Sequence, residues 1–226
     1  MSGEGSAAQP MIAAIDGPAA SGKGTIARRL AQEFGLAYLD TGSLYRKTAF
    51  LVLEAGGDPS NNDDAVMAAK AVSGHPVADE ALRTREVSEA ASIVSAIPAV
   101  RAALIEVQKN FGQNPPVLED GTPANGAIVD GRDIGTVIFP DADVKLFVTA
   151  SPEERARRRH LELHDRGEEA GFAEILADVR ARDERDTNRK ISPMKPAQDA
   201  HLLETTDLSI EAAFEAARDI VAAVFK

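Results

Sequence analysis

A glycine-rich turn, GPAASGKGT at Gly17–Thr25, follows the short apolar run MIAAID and leads into an amphipathic stretch that stops at Gly35. Gly17, Gly22 and Lys23 have the G-x-x-x-x-G-K spacing, whose confirming context is a strand before it and a helix after it. Both are expected here. Met11–Gly17 reads as a buried strand closed by glycine, and Lys23–Phe34 reads as a helix. In such a turn, glycines let backbone N–H groups converge on phosphate oxygens, the helix N-terminus adds a positive partial charge, and Lys23 reaches the outer phosphates. The candidate nucleotide-phosphate site is therefore Gly17, Pro18, Ala19, Ala20, Ser21, Gly22, Lys23, Gly24 and Thr25. One departure matters: Gly24 follows the lysine and the hydroxyl comes one place later, at Thr25. That displacement points away from GTPases and motor ATPases, and toward enzymes that hold Mg2+ mainly through phosphate oxygens and water.

The βα pattern repeats. LAYLDTG (Leu36–Gly42) reads as a second strand feeding a helix that runs to about Glu54, so a mainly parallel sheet is expected, with ligands beyond the carboxyl ends of its strands. From Ser60 to Phe111 the chain is alanine-rich and helical, broken at Ser73–Pro76 and Pro98, and Gly112–Gly126 carries the glycine, proline and asparagine of a mobile surface loop. AIVDG and VKLFVTA are near-continuous apolar runs suited to doubly buried strands. SPEE at Ser151–Glu154 has the form of a capping box with Pro152 in the first turn. A second helix after Gly171 should end near Asn188, HLLETT can supply a fifth strand, and Ser209–Lys226 a closing helix.

The formal net charge of −11 argues against nucleic acid as a partner. The absence of cysteine excludes disulfides and thiolate metal sites, and no apolar run is long enough to span a bilayer. Residues 1–10 have neither a basic nor an apolar leader region, and read as a flexible tail; a cytoplasmic monomer is the expectation. An anionic ligand must then be captured locally, and arginines concentrate at Arg155–Arg159 and Arg180–Arg189. Arg182, Arg185, Asp186 and Arg189 are spaced i, i+3, i+4 and i+7, one face of a helix, a spacing that equally suits a solvated ion-pair ladder. Arg155, Arg158 and Arg159 likewise share a face. DTGSLYR (Asp40–Arg46) and DGRD (Asp130–Asp133) each follow a strand, bringing Thr41, Tyr45, Arg46, Arg132 and Asp133 toward the crevice of Lys23. Arg132 offers a fork to a phosphate, and Asp133 an acceptor for an exocyclic amine.

GPAASGKGT, LDTGSLYR, EAASIVSAIPAVRAAL, VDGRDIGTVIFPDADVKLFVTAS, ERARRR and RDERDTNR, in this order, resemble the bacterial cytidylate kinases, enzymes of the nucleoside monophosphate kinase superfamily. The resemblance implies transfer of phosphate from ATP, with Mg2+, to CMP or dCMP. It implies a P-loop core of about five parallel strands flanked by helices, with a nucleotide-binding insert and a lid. A single domain, 11–226, would comprise core 11–59, 127–151 and 190–226, insert 60–111 with loop 112–126, and lid 152–189. Ser92, Arg101 and Asp133 would read the cytosine edge; Arg46 and Arg132 would hold the CMP phosphate beside Thr41 and Tyr45. Arg182 and Asp186 would contact the ribose, with Arg189 completing the arginine face. Lys23, Arg132 and Arg158 would be catalytic, neutralising charge on the transferred group. Many members carry a small antiparallel sheet in the insert, for which Ser73–Val87 is too short here. A nucleoside monophosphate is already an anionic nucleophile, so neither a general base nor any of His75, His160, His164 and His201 is required. A kinase of UMP or of a non-nucleotide alcohol, and a nucleotide-dependent switch, are the rival readings.

Overall fold

The computed structural model describes residues 10–225, so the tail expected at 1–10 lies, apart from Pro10, outside the described residues. Five parallel strands form one sheet in the order β2-β3-β1-β4-β5. They are β1 (Met11–Asp16), β2 (Ala37–Asp40), β3 (Gly126–Gly131), β4 (Val144–Thr149) and β5 (His201–Glu204). The three central strands are the ones written as near-continuous apolar runs, as burial on both faces requires. One face packs Ala13, Ile15, Ile128, Leu146 and Val148 under α1 (Lys23–Phe34) and α8 (Ile210–Val224), which contribute Leu30, Phe214 and Val221. The opposite face packs Ala14, Ala127 and Val129 with Ile134, Ile138 and Phe139. Each large aliphatic side chain buried in this way contributes about 1.5–3 kcal/mol.

Two further clusters lie away from the sheet. α2 (Thr41–Glu54), α3 (Asn62–Ala71), α4 (Arg85–Val94) and α5 (Pro98–Gln113) bury Tyr45, Ala49, Val52, Val94 and Leu104 together. α6 (Pro152–Asp165) and α7 (Phe172–Thr187) close on Ala156, Leu163, Ile175 and Val179. Between Ser73 and Val87 there are two 3₁₀ turns and no strand, as the shortness of the segment predicts. None of the described helices is by itself long and apolar enough to cross a membrane.

The register sets the site. Asp16 lies opposite Gly131, and Asp40 opposite Asp130, so the strand ends and their carboxylates line up along one edge of the sheet. Two local expectations change. Ser151 Oγ accepts from the Glu154 N–H at 3.2 Å, but the reciprocal half of the capping box is absent: the Ser151 N–H donates to Thr206 Oγ1, while Glu154 is taken by Arg157 and Arg158. And Ile134–Ile138, after DGRD, forms a single wide π turn, closed by Ile138 N–H to Asp133 O and Phe139 N–H to Ile134 O.

Candidate active site

The glycine loop is held rigidly from three directions. Gly17 has φ +146°, and a Cβ there would fall 2.0 Å from the Val148 carbonyl, so the close approach of the loop to β4 admits glycine only. Thr205 Oγ1, just past β5, donates to Ser21 O at 3.0 Å, Arg158 donates to the same carbonyl at 3.2 Å, and Arg155 donates to Ala19 O at 3.3 Å. Gly22, in left-handed conformation, precedes α1 with no side chain capping it. The first-turn N–H groups thus lack a side-chain acceptor, the usual arrangement of an anion site.

Lys23 Nζ lies 3.4 Å from Asp130 Oδ1. Burial holds the Lys23 pKa below its ordinary value, and the nearby Arg132 charge pushes it the same way. Asp130 is pushed up by burial, partly opposed by Lys23. Tyr38 Oη donates to Asp130 Oδ2 at 3.2 Å, and a Cβ at Gly24 would sit 3.3 Å from that same oxygen and 3.6 Å from the tyrosine hydroxyl. A side chain after the lysine would therefore press on Asp130 Oδ2 and touch the Tyr38 hydroxyl.

Next to this loop is a buried network of arginines and carboxylates. Arg101 pairs with Asp133, both about 5% exposed, and also donates to Ser95 O at 3.2 Å. Its guanidinium lies 5.5 Å from the centre of the Tyr45 ring. Arg132 Nε donates to Asp186 Oδ2 at 3.1 Å, and Arg189 Nε donates to the Asp186 backbone carbonyl. Arg46 is held by Asp40 at 2.6 Å. Burial alone would raise the Asp186 pKa, but Arg132, Arg182 and Arg189 outweigh it and hold the carboxyl below its usual range. For Arg182 burial wins: with Arg132 and Arg46 beside it and Asp186 only partly opposing, its pKa comes down to about 10, still far above neutrality. Its Nε, with Arg46 Nε, Arg101 Nε, Arg189 Nη2, Asp130 Oδ1 and Ser21 Oγ, is buried without a hydrogen-bond partner. Unpaired polar atoms of this kind are costly, and a bound polar ligand would offset that cost.

A cavity of about 600 Å3 opens beside them, lined by Ala19 and Ala20 of the loop, Arg46, Ser92, Arg159 and Arg182, among others. Of the residues singled out in the sequence, Lys23, Tyr45, Arg101, Arg132, Asp133, Asp186 and Arg189 do not line it; Tyr45, Arg101, Asp133 and Asp186 are buried, and Lys23, Arg132 and Arg189 are partly buried. The Thr41 hydroxyl is already engaged, donating to Asp130 O at 2.8 Å, and Thr25 is exposed. Arg158 directs its donors to Glu154, Ser21 O and Thr205, so the loop's shape, rather than open space, is what it faces. Sequence reasoning gave no role to Asp40, Asp130, Arg185 or Thr205. Asp40 and Asp130 were marked by their place at strand ends; Arg185, whose Nε donates to Ser92 Oγ at 3.1 Å, stood on the arginine face but was assigned nothing.

Arg85 on α4, which also lines the cavity, pairs with Glu174 at 2.6 Å and Asp178 at 3.1 Å on α7. These exposed pairs are each worth about 1 kcal/mol or less. Arg85→Ala is therefore expected to raise the KM of a substrate held in this cavity about threefold and to flatten its salt dependence, with kcat little changed. Initial rates at 50 and 300 mM salt (roughly a twofold change in screening length) check this.

The family model for cytidylate kinase matches residues 13–223. This chain belongs to the cytidylate kinase family. It is 55% identical over 211 residues to a cytidylate kinase of Methylocella silvestris, covering 93% of this chain and 94% of that one. It is 52% identical over 214 residues to a cytidylate kinase of Bradyrhizobium diazoefficiens, covering 95% and 97%. Among solved structures, an uncharacterized protein from Eubacterium ventriosum aligns with a TM-score of 0.52 at 11% identity, covering 94% of this chain and 99% of that one, a likeness of fold alone. Membership of the cytidylate kinase family makes this chain a phosphotransferase.

Proposed function

We propose that the chain transfers the γ-phosphate of ATP to CMP, and to dCMP, giving CDP or dCDP and ADP. The observation that carries this reading is the buried Arg101–Asp133 pair within a member of the cytidylate kinase family. Asp133 offers an acceptor to the cytosine amine, Arg101 donates to the ring nitrogen and carbonyl, and Ser92 adds a polar contact. Uracil, lacking the amine, leaves the acceptor unpaired, which costs affinity. Arg46 and Arg132 hold the acceptor phosphate; Arg182 and Asp186 take the ribose, with Arg189 behind them. The ATP phosphates lie on the N–H groups of Gly17–Thr25, where Lys23 faces the transferred group.

A phosphate oxygen of CMP attacks the γ-phosphorus in line, the bond to the β-phosphate oxygen breaks, and ADP leaves, so positioning and charge neutralisation carry the rate. Asp130 fits a magnesium site: its buried Oδ1 has no hydrogen-bond partner and is a hard anionic oxygen beside Lys23. Bound there chiefly through phosphate oxygens and water, Mg2+ would offset charge on the donor phosphates. We assign the protein to the cytoplasm as a monomer acting on free nucleotides; its net charge of −11 supports the absence of a nucleic-acid partner.

ADP release from Mg-ATP, measured with CMP, dCMP, UMP, AMP, GMP and no acceptor, tests the reading. Strong preference for CMP and dCMP is expected. Preference for another acceptor would retain a kinase but remove the base-reading assignments, and turnover independent of acceptor would favour a nucleotide switch.

A further inference from the structure

We propose that Asp16 is the positioning residue for base selection: it clamps the turn that carries Arg132 and Asp133 to the strand that leads into the glycine loop. Asp16 ends β1, immediately before Gly17, and is 4% exposed. Its Oδ1 accepts from the Ile134 N–H and its Oδ2 from the Gly135 N–H, each at 2.8 Å. The hydrogen bonds that close the turn come from Val137, Ile138 and Phe139, so, as in any first helical turn, the N–H groups of Ile134 and Gly135 have no acceptor within it. Both lie in buried surroundings, and the carboxylate supplies both acceptors. On the other side, a Cβ at Gly135 would come within 3.2 Å of Lys145 Cδ and 3.5 Å of Asp16 Oδ2, so the turn is wedged between the two.

Asp133 is the residue directly before this turn, and Arg132 precedes it. If the turn slips, the Asp133 carboxylate leaves Arg101 and the Arg132 guanidinium leaves Asp186. Both Asp16 oxygens are used by backbone N–H groups, so it acts through Asp133 and Arg132 rather than on substrate. The inference rests on those two residues reading the acceptor as proposed above.

Asp16→Asn keeps the size of the side chain but sets an NH2 group against one of the two N–H donors. The expected result is a rise of about tenfold in the CMP KM and a fall of about tenfold in the CMP-to-UMP ratio of kcat/KM, with the ATP KM changed less than about twofold. Gly135→Ala crowds the turn without altering the carboxylate, and is expected to shift the same ratio in the same direction; it decides the matter if Asp16→Asn does not fold. Equal loss of kcat for all acceptors with an unchanged ratio, in whichever of these variants folds, overturns the proposal. Asp133→Ala is measured alongside. If it relaxes selectivity while the other two do not, the Asp16 role alone falls; if it too leaves the ratio unchanged, the base-reading assignment fails and takes this inference with it.

Discussion

Lys23→Ala is expected to lower kcat by about 10³-fold with CMP, and by the same factor with UMP or dCMP, because the lysine serves the transferred phosphate and not the base. The ratio of kcat/KM between acceptors should not move. The lost charge also has a thermodynamic signature. In the folded protein, burial raises the Asp130 pKa and Lys23 opposes that rise. Without the lysine the folded-state pKa climbs further above the unfolded value of about 4. The folded state then holds a proton that the unfolded state releases, so stability is greatest below the unfolded pKa and declines as pH rises through the folded one. As pH rises above the unfolded carboxylate pKa of about 4, the melting temperature of Lys23→Ala should therefore fall more steeply than that of the parent. A loss of kcat below about tenfold (some 1.4 kcal/mol of barrier) would remove Lys23 from the transfer step.

Asp133→Ala combines two effects that a second variant separates. Arg101 and Asp133 are paired with side chains 5% and 6% exposed, so deleting the carboxylate leaves a buried guanidinium with no counter-charge. That costs about 3–5 kcal/mol, or roughly 10 °C in melting temperature for a chain of this size. The same deletion removes the acceptor for the cytosine amine, and the CMP-to-UMP ratio should drop by about 100-fold or more. Replacing both partners, Arg101→Met with Asp133→Leu, should recover much of the stability, because a well-packed apolar pair can replace a buried ion pair. Selectivity should stay lost. Recovery of selectivity together with stability would mean that the pair is structural and that the base is read elsewhere.

The sheet was legible because its strands are short and mostly apolar, four of the five ending in glycine or an acidic residue, and Gly35 ends α1 in a left-handed conformation where a glycine stop was expected. The motifs that build the site were legible too, since strand-end placement brings DTGSLYR and DGRD to one edge. What could not be read is who pairs with whom. Arg158 shares a helix face with Arg155 and Arg159, but its partner Ser21 O is a main-chain carbonyl 137 positions away, and backbone acceptors leave no mark in a sequence. The half-formed capping box follows from a competition: Glu154 meets Arg157 and Arg158, and charge-assisted bonds prevail over the return bond to Ser151. The π turn after Asp133 depends on Asp16, 118 positions earlier, and no local pattern announces it.

Thr205 has a consequence for the order in which this molecule can come into being. Its hydroxyl donates to Ser21 and to Thr149, and Arg158 donates to its hydroxyl and carbonyl, so the third face of the glycine loop is made by a residue 184 positions downstream of Ser21. During synthesis the loop is among the first segments to emerge, yet its closing partner is among the last. A nascent chain thus exposes a half-assembled nucleotide site through most of translation, and ribosome-bound fragments stalled before Thr205 should retain little of the ATP affinity of the finished protein.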